Sequence, residues 1–454
     1  MSTLVSLPTE VLLVIIRHLP TQEDRLNLAK CNRRMYTQLQ LEAAIRMELD
    51  PYYCTKRIKN LIGFLLSNTS IAGAVKSLKL GRMWICDRHR TSQQATTRSI
   101  DSILKFDQPS TQALQRWLGE LFPANKPGAW QALVICLLPN IKYLEWVCDD
   151  PDTIFTDAMS LREVFFKVPL DVGRSSSNGN RAWSIAQLKP FFQTPSIRKI
   201  KAYGLIGTCP RLAPPDSSSI SHIELHQSFL DFGFRELIGP CTNLKSFKYF
   251  YSEDSAGYSW APRFCMKSFM DAISSKTHSL ETLYLNYLRA RNFDTSSDES
   301  IGTFNEFRVL KYLQLPMHTF LELDDMEHPA SEHDILGGIS GSSLMPLARH
   351  LPSSLERLCV TQWWVEAPHG NMINQLVNLV RSRTEFPRLA NVDIYGAFIK
   401  HLFTAGGDAE RLQSHSTGFA LFCPGIHEDY KRLSNACREM GVGLRVQNDP
   451  MEGY

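Results

Sequence analysis

Apolar residues return along this chain in one short pattern: apolar, two free positions, apolar, one free position, apolar. Ten copies stand out: Val75-Leu78-Leu80, Ile141-Leu144-Trp146, Leu161-Val164-Phe166, Ile197-Ile200-Ala202, Ile220-Ile223-Leu225, Leu244-Phe247-Tyr249, Leu280-Leu283-Leu285, Leu310-Leu313-Leu315, Leu355-Leu358-Val360 and Leu389-Val392-Ile394. Alternate residues of a strand share a face, so the last two apolar residues of each copy point one way and the residue between them the other. Helix-spaced segments precede several copies, at Arg57 to Leu66, Trp130 to Leu138, Ile185 to Phe192, Phe264 to Ser274 and Met372 to Arg383. Strands alternating with helices predict an α/β chain with a parallel sheet. Each strand–helix unit buries its apolar side only against its neighbours, so several must stack into a solenoid, strands inside and helices outside. A non-repeat α/β domain with parallel strands is the competing reading.

The first forty residues follow a different rule. Leu7 to Pro20 reads L-P-T-E-V-L-L-V-I-I-R-H-L-P, and Val11, Leu12, Ile15, Ile16 and Leu19 share one broad helical face. Pro8 suits a first turn, Glu10 suits the positive end of the helix dipole, and Pro20 ends the helix. After a polar turn at Thr21 to Asp24, a second helical stretch from about Arg25 to Leu41 carries Leu26, Leu28, Ala29, Cys31, Met35, Tyr36 and Leu39, giving two or three short helices. So small a unit cannot bury enough apolar surface alone, and with no metal or disulfide pattern a partner is the natural helper.

These residues resemble the F-box. The family's L-P-x-E start is Leu7, Pro8 and Glu10, its aliphatic pair is Ile15 and Ile16, and Leu19 closes the first helix. Asp24 to Met35 follows the family's second helix, with Arg33-Arg34 in the usual basic place and Met35 where a Trp is common. The resemblance implies that Leu7, Pro8, Val11, Ile15, Ile16 and Leu19 contribute to the surface that packs on a Skp-type adaptor of a cullin–RING ubiquitin ligase. The alternative is a helical hairpin packed on its own protein.

The strand pattern in turn resembles the degenerate leucine-rich repeats that commonly follow an F-box. Many strands open with one phrase, as in P-N-I-K-Y-L at Pro139, P-S-I-R-K-I at Pro195 and S-S-L-E-R-L at Ser353. Two departures stand out. Strand intervals swing far outside the regular range, so insertions must leave the array, and the usual asparagine after the last apolar position is absent. Three regions follow: an F-box at 1–45, a helical linker and N-terminal cap at 46–74, and an irregular repeat domain at 75–454 with loop insertions. Its end, a helix from His427 to Met440 and a strand from Val442 to Val446, reads as a C-terminal cap.

Composition narrows the functional classes. The chain is 43% hydrophobic and 21% charged, in the range of ordinary folded domains. With 49 Lys+Arg against 46 Asp+Glu, the net charge of +3 gives no long-range field for nucleic acid or anionic lipid. Eleven scattered cysteines, none in a C-x-x-C pair, fit reduced thiols in a cytoplasmic or nuclear setting. No secretory signal is expected, and the longest apolar run, near Ala132 to Leu138, falls well short of the roughly 20 residues that cross a bilayer.

No catalytic constellation emerges. Gly337-Gly338-Ile339-Ser340-Gly341 misses the nucleophile elbow because position 342 is Ser342, and no phosphate-binding glycine motif is present. The acidic and His run Asp324 to Asp334 lacks calcium-loop spacing, and Cys86 with His89 is too few ligands for zinc. No cofactor, metal or catalytic residue is therefore expected.

The residue between the last two apolar positions of each copy, and the one just after, are expected on the concave face. These sets mix charges with aromatics, which suits a protein target better than nucleic acid. The residues expected to hold a target are Lys201, Tyr203, Lys248, Phe250, Tyr284, Tyr395 and the loop pair Trp363-Trp364. Together these features predict the non-catalytic substrate-recognition subunit of a Skp–cullin–F-box ubiquitin ligase. A repeat scaffold without a ligase role is the alternative, and an α/β hydrolase a third class.

Overall fold

A computed structural model describes residues 7–19, 21–49, 52–84, 127–147, 160–167, 183–206, 212–228, 230, 233–250, 266–286, 303–320, 346–363, 369–396 and 424–448. The chain divides into two units, residues 1–220 with 240–242, and residues 221–239 with 243–454.

The first unit opens with three helices, α1 (Thr9–His18), α2 (Gln22–Lys30) and α3 (Arg33–Ala44). Leu19, ahead of Pro20, takes an extended ψ of 128°, because the proline ring disfavours helical geometry in the residue before it. Thr21 caps α2, its Oγ1 accepting from the Asp24 amide at 3.0 Å. The stretch expected as one helix from Arg25 to Leu41 is two. It breaks at Cys31-Asn32, where the Asn32 carbonyl accepts from the Tyr36 amide at 2.8 Å and starts α3. Leu12, Ile16, Ala29, Met35 and Leu39 form a small core, with Leu7, Leu13, Leu19, Leu26 and Leu28 packed around it.

The stretch 46–74 does more than link. It supplies β1 (Arg46–Glu48) and β2 (Tyr52–Cys54) before helices α4 (Thr55–Ser67) and α5 (Thr69–Ala74). Then come β3 (Ser77–Leu80), β4 (Arg82–Trp84), β5 (Tyr143–Val147), β6 (Glu163–Lys167), β7 (Trp183–Ser184), β8 (Lys199–Tyr203) and β9 (Leu205–Ile206). The sheet of this unit runs β1-β3-β5-β6-β8, every pair parallel and in register. Two short parallel ribbons, β2 with β4 and β7 with β9, flank it in sequence.

The second unit holds β10 (His222–His226), β11 (Ser246–Phe250), β12 (Thr282–Asn286), β13 (Tyr312–Pro316), β14 (Arg357–Trp363), β15 (Asn391–Gly396) and β16 (Gly443–Asn448). They are again parallel and ordered as in the sequence. The helix at Pro424–Met440 and β16 form the expected last unit. All ten copies of the apolar pattern are strands, and all thirty of their apolar side chains are at most 2% exposed. Each unit is thus a stretch of α/β repeat, strands joined through helices such as Pro127–Cys136 and His369–Arg381.

Backbone and side-chain hydrogen bonds join the repeats without an asparagine ladder. At the leading end of the strands one carbonyl takes two amides from the next strand: Ile45 O accepts from Lys76 and Ser77, Lys76 O from Lys142 and Tyr143, Lys245 O from Glu281 and Thr282. Hydroxyls then clamp neighbouring repeats. Ser160 Oγ donates to the Pro139 and Ile141 carbonyls, Ser219 to Pro195 and Ile197, Thr242 to Asp216 and Ser218, and Ser354 to Phe307 and Leu310. At the trailing end, Gln131 accepts from Trp146 Nε1 at 2.8 Å and donates to the Gly81 carbonyl at 3.2 Å, while Tyr249 donates to the Ser228 carbonyl at 2.6 Å. These buried polar groups are satisfied one by one instead of by a repeated side chain.

Candidate protein-interaction surfaces

The helical start of the chain shows two apolar faces where one was expected. Leu12 and Ile16 point inward, at most 1% exposed, whereas Val11 and Val14 are 42% and 53% exposed. At 100° per residue Val11, Val14 and Ile15 make a second stripe, turned about a quarter of a circle or more from the buried one. Of the residues expected on the adaptor surface, Pro8 and Val11 are exposed and Leu7, Ile15 and Leu19 are half-buried. Ile16 is corrected: one turn after Leu12, it is fully enclosed by the core of α1–α3 and has no surface to offer. The large hydrophobic side chains that stay exposed among the described residues are Val11, Val14, Tyr36, Leu41 and Phe64. All fall in or just after the three-helix start, while the repeat strands bury theirs.

Polar contacts hold this face in place. Arg17 Nε lies 2.5 Å from Glu42 Oε1, tying α1 to α3. Arg25, which the sequence did not mark, is 4% exposed and donates to the Leu19 carbonyl at 3.3 Å, at the negative end of α1. Burial lowers its pKa below the ordinary arginine value, with Arg46 adding to the effect.

The outward residues of the strands form further surface in each unit. In the first unit Lys201 Nζ sits 5.6 Å from the Phe165 ring centre and 5.5 Å from that of Tyr203, and the two rings meet edge-on at 5.4 Å. An ammonium held over two aromatic faces is a cation–π arrangement. In the second unit the His226 ring stacks on Phe250 at 4.2 Å, and Phe250 lies 4.3 Å from Tyr284. His226 Nε2 is 2.7 Å from Glu224 Oε1, and Lys248 stands in register between Glu224 and Tyr284. Lys201, Tyr203, Lys248, Phe250, Tyr284 and Tyr395 are all half-buried.

The face closes along β12 to β15. Asn286, Gln314, Cys359, Thr361 and Asp393 are at most 4% exposed, although their pattern positions match those of Lys201 and Tyr203. Local bonds occupy two of them. Asp393 accepts from Arg357 Nε, whose guanidinium also lies over the Tyr312 ring, and Gln314 Oε1 accepts from the Tyr312 hydroxyl at 2.7 Å. Burial, with Asp393 nearby, raises the pKa of Tyr395. Trp363 is the last residue of β14 instead of a loop residue, because the bulged pairing with β15 carries the strand on to Gly396. Trp364, the 324–334 run, the 337–342 glycine segment, Cys86 and His89 lie outside the described residues. Among the described residues no helix is long and apolar enough to cross a membrane.

Two known families match parts of the chain. Residues 4–41 match the model of the F-box domain, and residues 180–404 match that of a leucine-rich repeat domain. No curated protein matches the sequence. The chain therefore joins an F-box domain to a leucine-rich repeat domain, a pairing typical of non-catalytic adaptor proteins. It is an F-box/leucine-rich-repeat protein.

Proposed function

We propose that this chain is the substrate-recognition subunit of a Skp–cullin–F-box ubiquitin ligase. The observation that carries the reading is that four of the five large hydrophobic side chains exposed among the described residues, Val11, Val14, Tyr36 and Leu41, lie on α1 and α3. Water-exposed apolar surface of this kind is retained where a partner covers it. The partner is a Skp-type adaptor, and through it a cullin–RING ligase. Outward strand residues hold the target, such as Lys201 between two rings in the first unit or the His226-Phe250-Tyr284 stack in the second. The chain supplies no catalytic group. It raises the concentration of target lysines near activated ubiquitin, which is catalysis by proximity. Cytoplasm or nucleus, where such ligases work on reduced proteins, is the proposed compartment.

Co-purification with the adaptor tests the reading. Leu7→Asp or Ile15→Asp is expected to abolish it while the repeat domain stays folded. Adaptor binding that survives both changes, or that the intact chain never shows, leaves a repeat scaffold as the function.

A further inference from the structure

The residue directly after the first apolar position of each copy obeys different rules in the two units. In the second unit its charge alternates: Lys245, Glu281, Lys311 and Glu356 follow one another along β11 to β14. Glu281 lies 3.6 Å from Lys245 and 2.9 Å from Lys311, so these charges neutralise one another. In the first unit the same position reads Lys76, Lys142, Arg162 and Arg198 along β3, β5, β6 and β8. All four side chains are exposed.

The backbone holds this row in register. The carbonyls of Lys76, Lys142 and Arg162 each accept two amides from the following strand, so the cations repeat at about 4.8 Å and the row spans roughly 14 Å. Carboxylates on the same strands are engaged by other cations: Glu145 is 3.5 Å from Lys79 and Glu163 is 3.7 Å from Lys199. Arg198 Nη1 donates to the Pro195 carbonyl at 2.6 Å and the Ile197 carbonyl at 3.1 Å, which fixes its guanidinium at the leading end of β8. Like charges on adjacent strands are destabilising, and an anionic partner relieves that repulsion.

We propose that this row docks an acidic segment of the target protein, a short run of Asp and Glu lying across the strands. The inference rests on the target-receptor reading of the repeat domain. An extended peptide advances about 3.4 Å per residue, so four or five residues cover the row, and the flexible lysine and arginine stems absorb the mismatch with the strand spacing. Glu145 and Glu163 flank the row on β5 and β6, which disfavours a long continuous polyanion while leaving room for a narrow peptide.

Fluorescence anisotropy of the full chain with a labelled alternating Glu-Gly peptide tests this, with a Gln-Gly peptide and a short DNA duplex alongside. The Glu-Gly peptide is expected to bind and the Gln-Gly peptide not. Lys76→Glu with Lys142→Glu and Arg162→Glu is expected to weaken binding at least about tenfold, the sum of several exposed ion pairs. Lys245→Glu with Lys311→Glu is expected to leave it within about twofold. The neutral set Lys76→Gln, Lys142→Gln and Arg162→Gln, checked by thermal melting, separates loss of binding from loss of fold. Equal loss in both charge reversals, tighter binding of the duplex, or no binding of the Glu-Gly peptide overturns the proposal. Adaptor co-purification on the same samples reports separately: failure there refutes the ligase reading, whereas failure of the peptide alone refutes the row.

Discussion

Truncating the outer stripe of α1 separates docking from folding. Val11 and Val14 each keep about half of their surface in water, at 42% and 53% exposure. A valine exceeds an alanine by two methyl-sized groups, worth about 0.8 kcal/mol apiece when fully buried. About half of that remains for a partner to cover, or about 0.8 kcal/mol per residue. Val11→Ala with Val14→Ala therefore forfeits about 1.5 kcal/mol of adaptor binding, close to a tenfold rise in Kd. Folding responds differently, because the similar amount of packing lost inside the chain is offset by the better helix propensity of alanine. The double variant should stay within about 1 kcal/mol of the parent in urea unfolding. Ile16→Ala provides the contrast: at 0% exposure its truncation costs about 2–5 kcal/mol of stability. Biolayer interferometry on immobilised adaptor measures the first quantity, and circular dichroism in urea the second. Unchanged adaptor affinity in a well-folded double variant would falsify the assignment of this stripe, as would a stability loss comparable to that of Ile16→Ala.

Two further expectations follow from the repeats. Ser354→Ala removes a buried hydroxyl that donates to the Phe307 and Leu310 carbonyls, and it should cost about 1–2 kcal/mol in urea unfolding, while Ser353→Ala, exposed next door, should cost less than about 0.5 kcal/mol. The hydrogen bond from Lys311 is the largest influence holding the Glu281 pKa below its ordinary 4.5. A depressed carboxylate stabilises fully above its unfolded pKa and loses that contribution as pH falls through the folded value. Lys311→Gln should therefore narrow the stability difference between about pH 6 and about pH 3, and only slightly because the pair faces water. No change in that difference would show that the pair is not formed in solution.

The strands were legible because their signal is redundant. Each copy needs three apolar residues at fixed spacing, and a single slip in register would turn all of them to the wrong face. β1 escaped notice since Arg46-Met47-Glu48 offers one apolar residue, and only its pairing with Ser77 to Lys79 makes it a strand. Helices α2 and α3 read as one because propensity runs on through Cys31, and the break shows only in the local backbone, where α3 starts from the Asn32 carbonyl. For the strand face the pattern gave direction but not cover. Asp393 and Lys201 occupy the same position in their copies, yet one is shut in beside Arg357 and the other lies open between two rings. The F-box residues were legible as a group, but the division of Val11 from Ile16 depended on which flank α2 and α3 would take. The hydroxyl clamps left a trace in the recurring Ser before the first apolar residue, at Ser160, Ser219 and Ser354, which sequence reasoning passed over as turn vocabulary.

Pairing two amides with one carbonyl at the leading end of strands such as β3, β5, β6, β8 and β11 to β15 has a bearing on how such a chain can change over generations. Neighbouring strands are stitched there whatever the chain does between the far end of one and the beginning of the next. Lengthening such an excursion costs only closure entropy, about 0.6 kcal/mol for each doubling. Segments can therefore grow, shrink or be exchanged by small genetic steps while the stitched edge keeps its spacing, so the molecule can be retuned towards new ligands without being refolded.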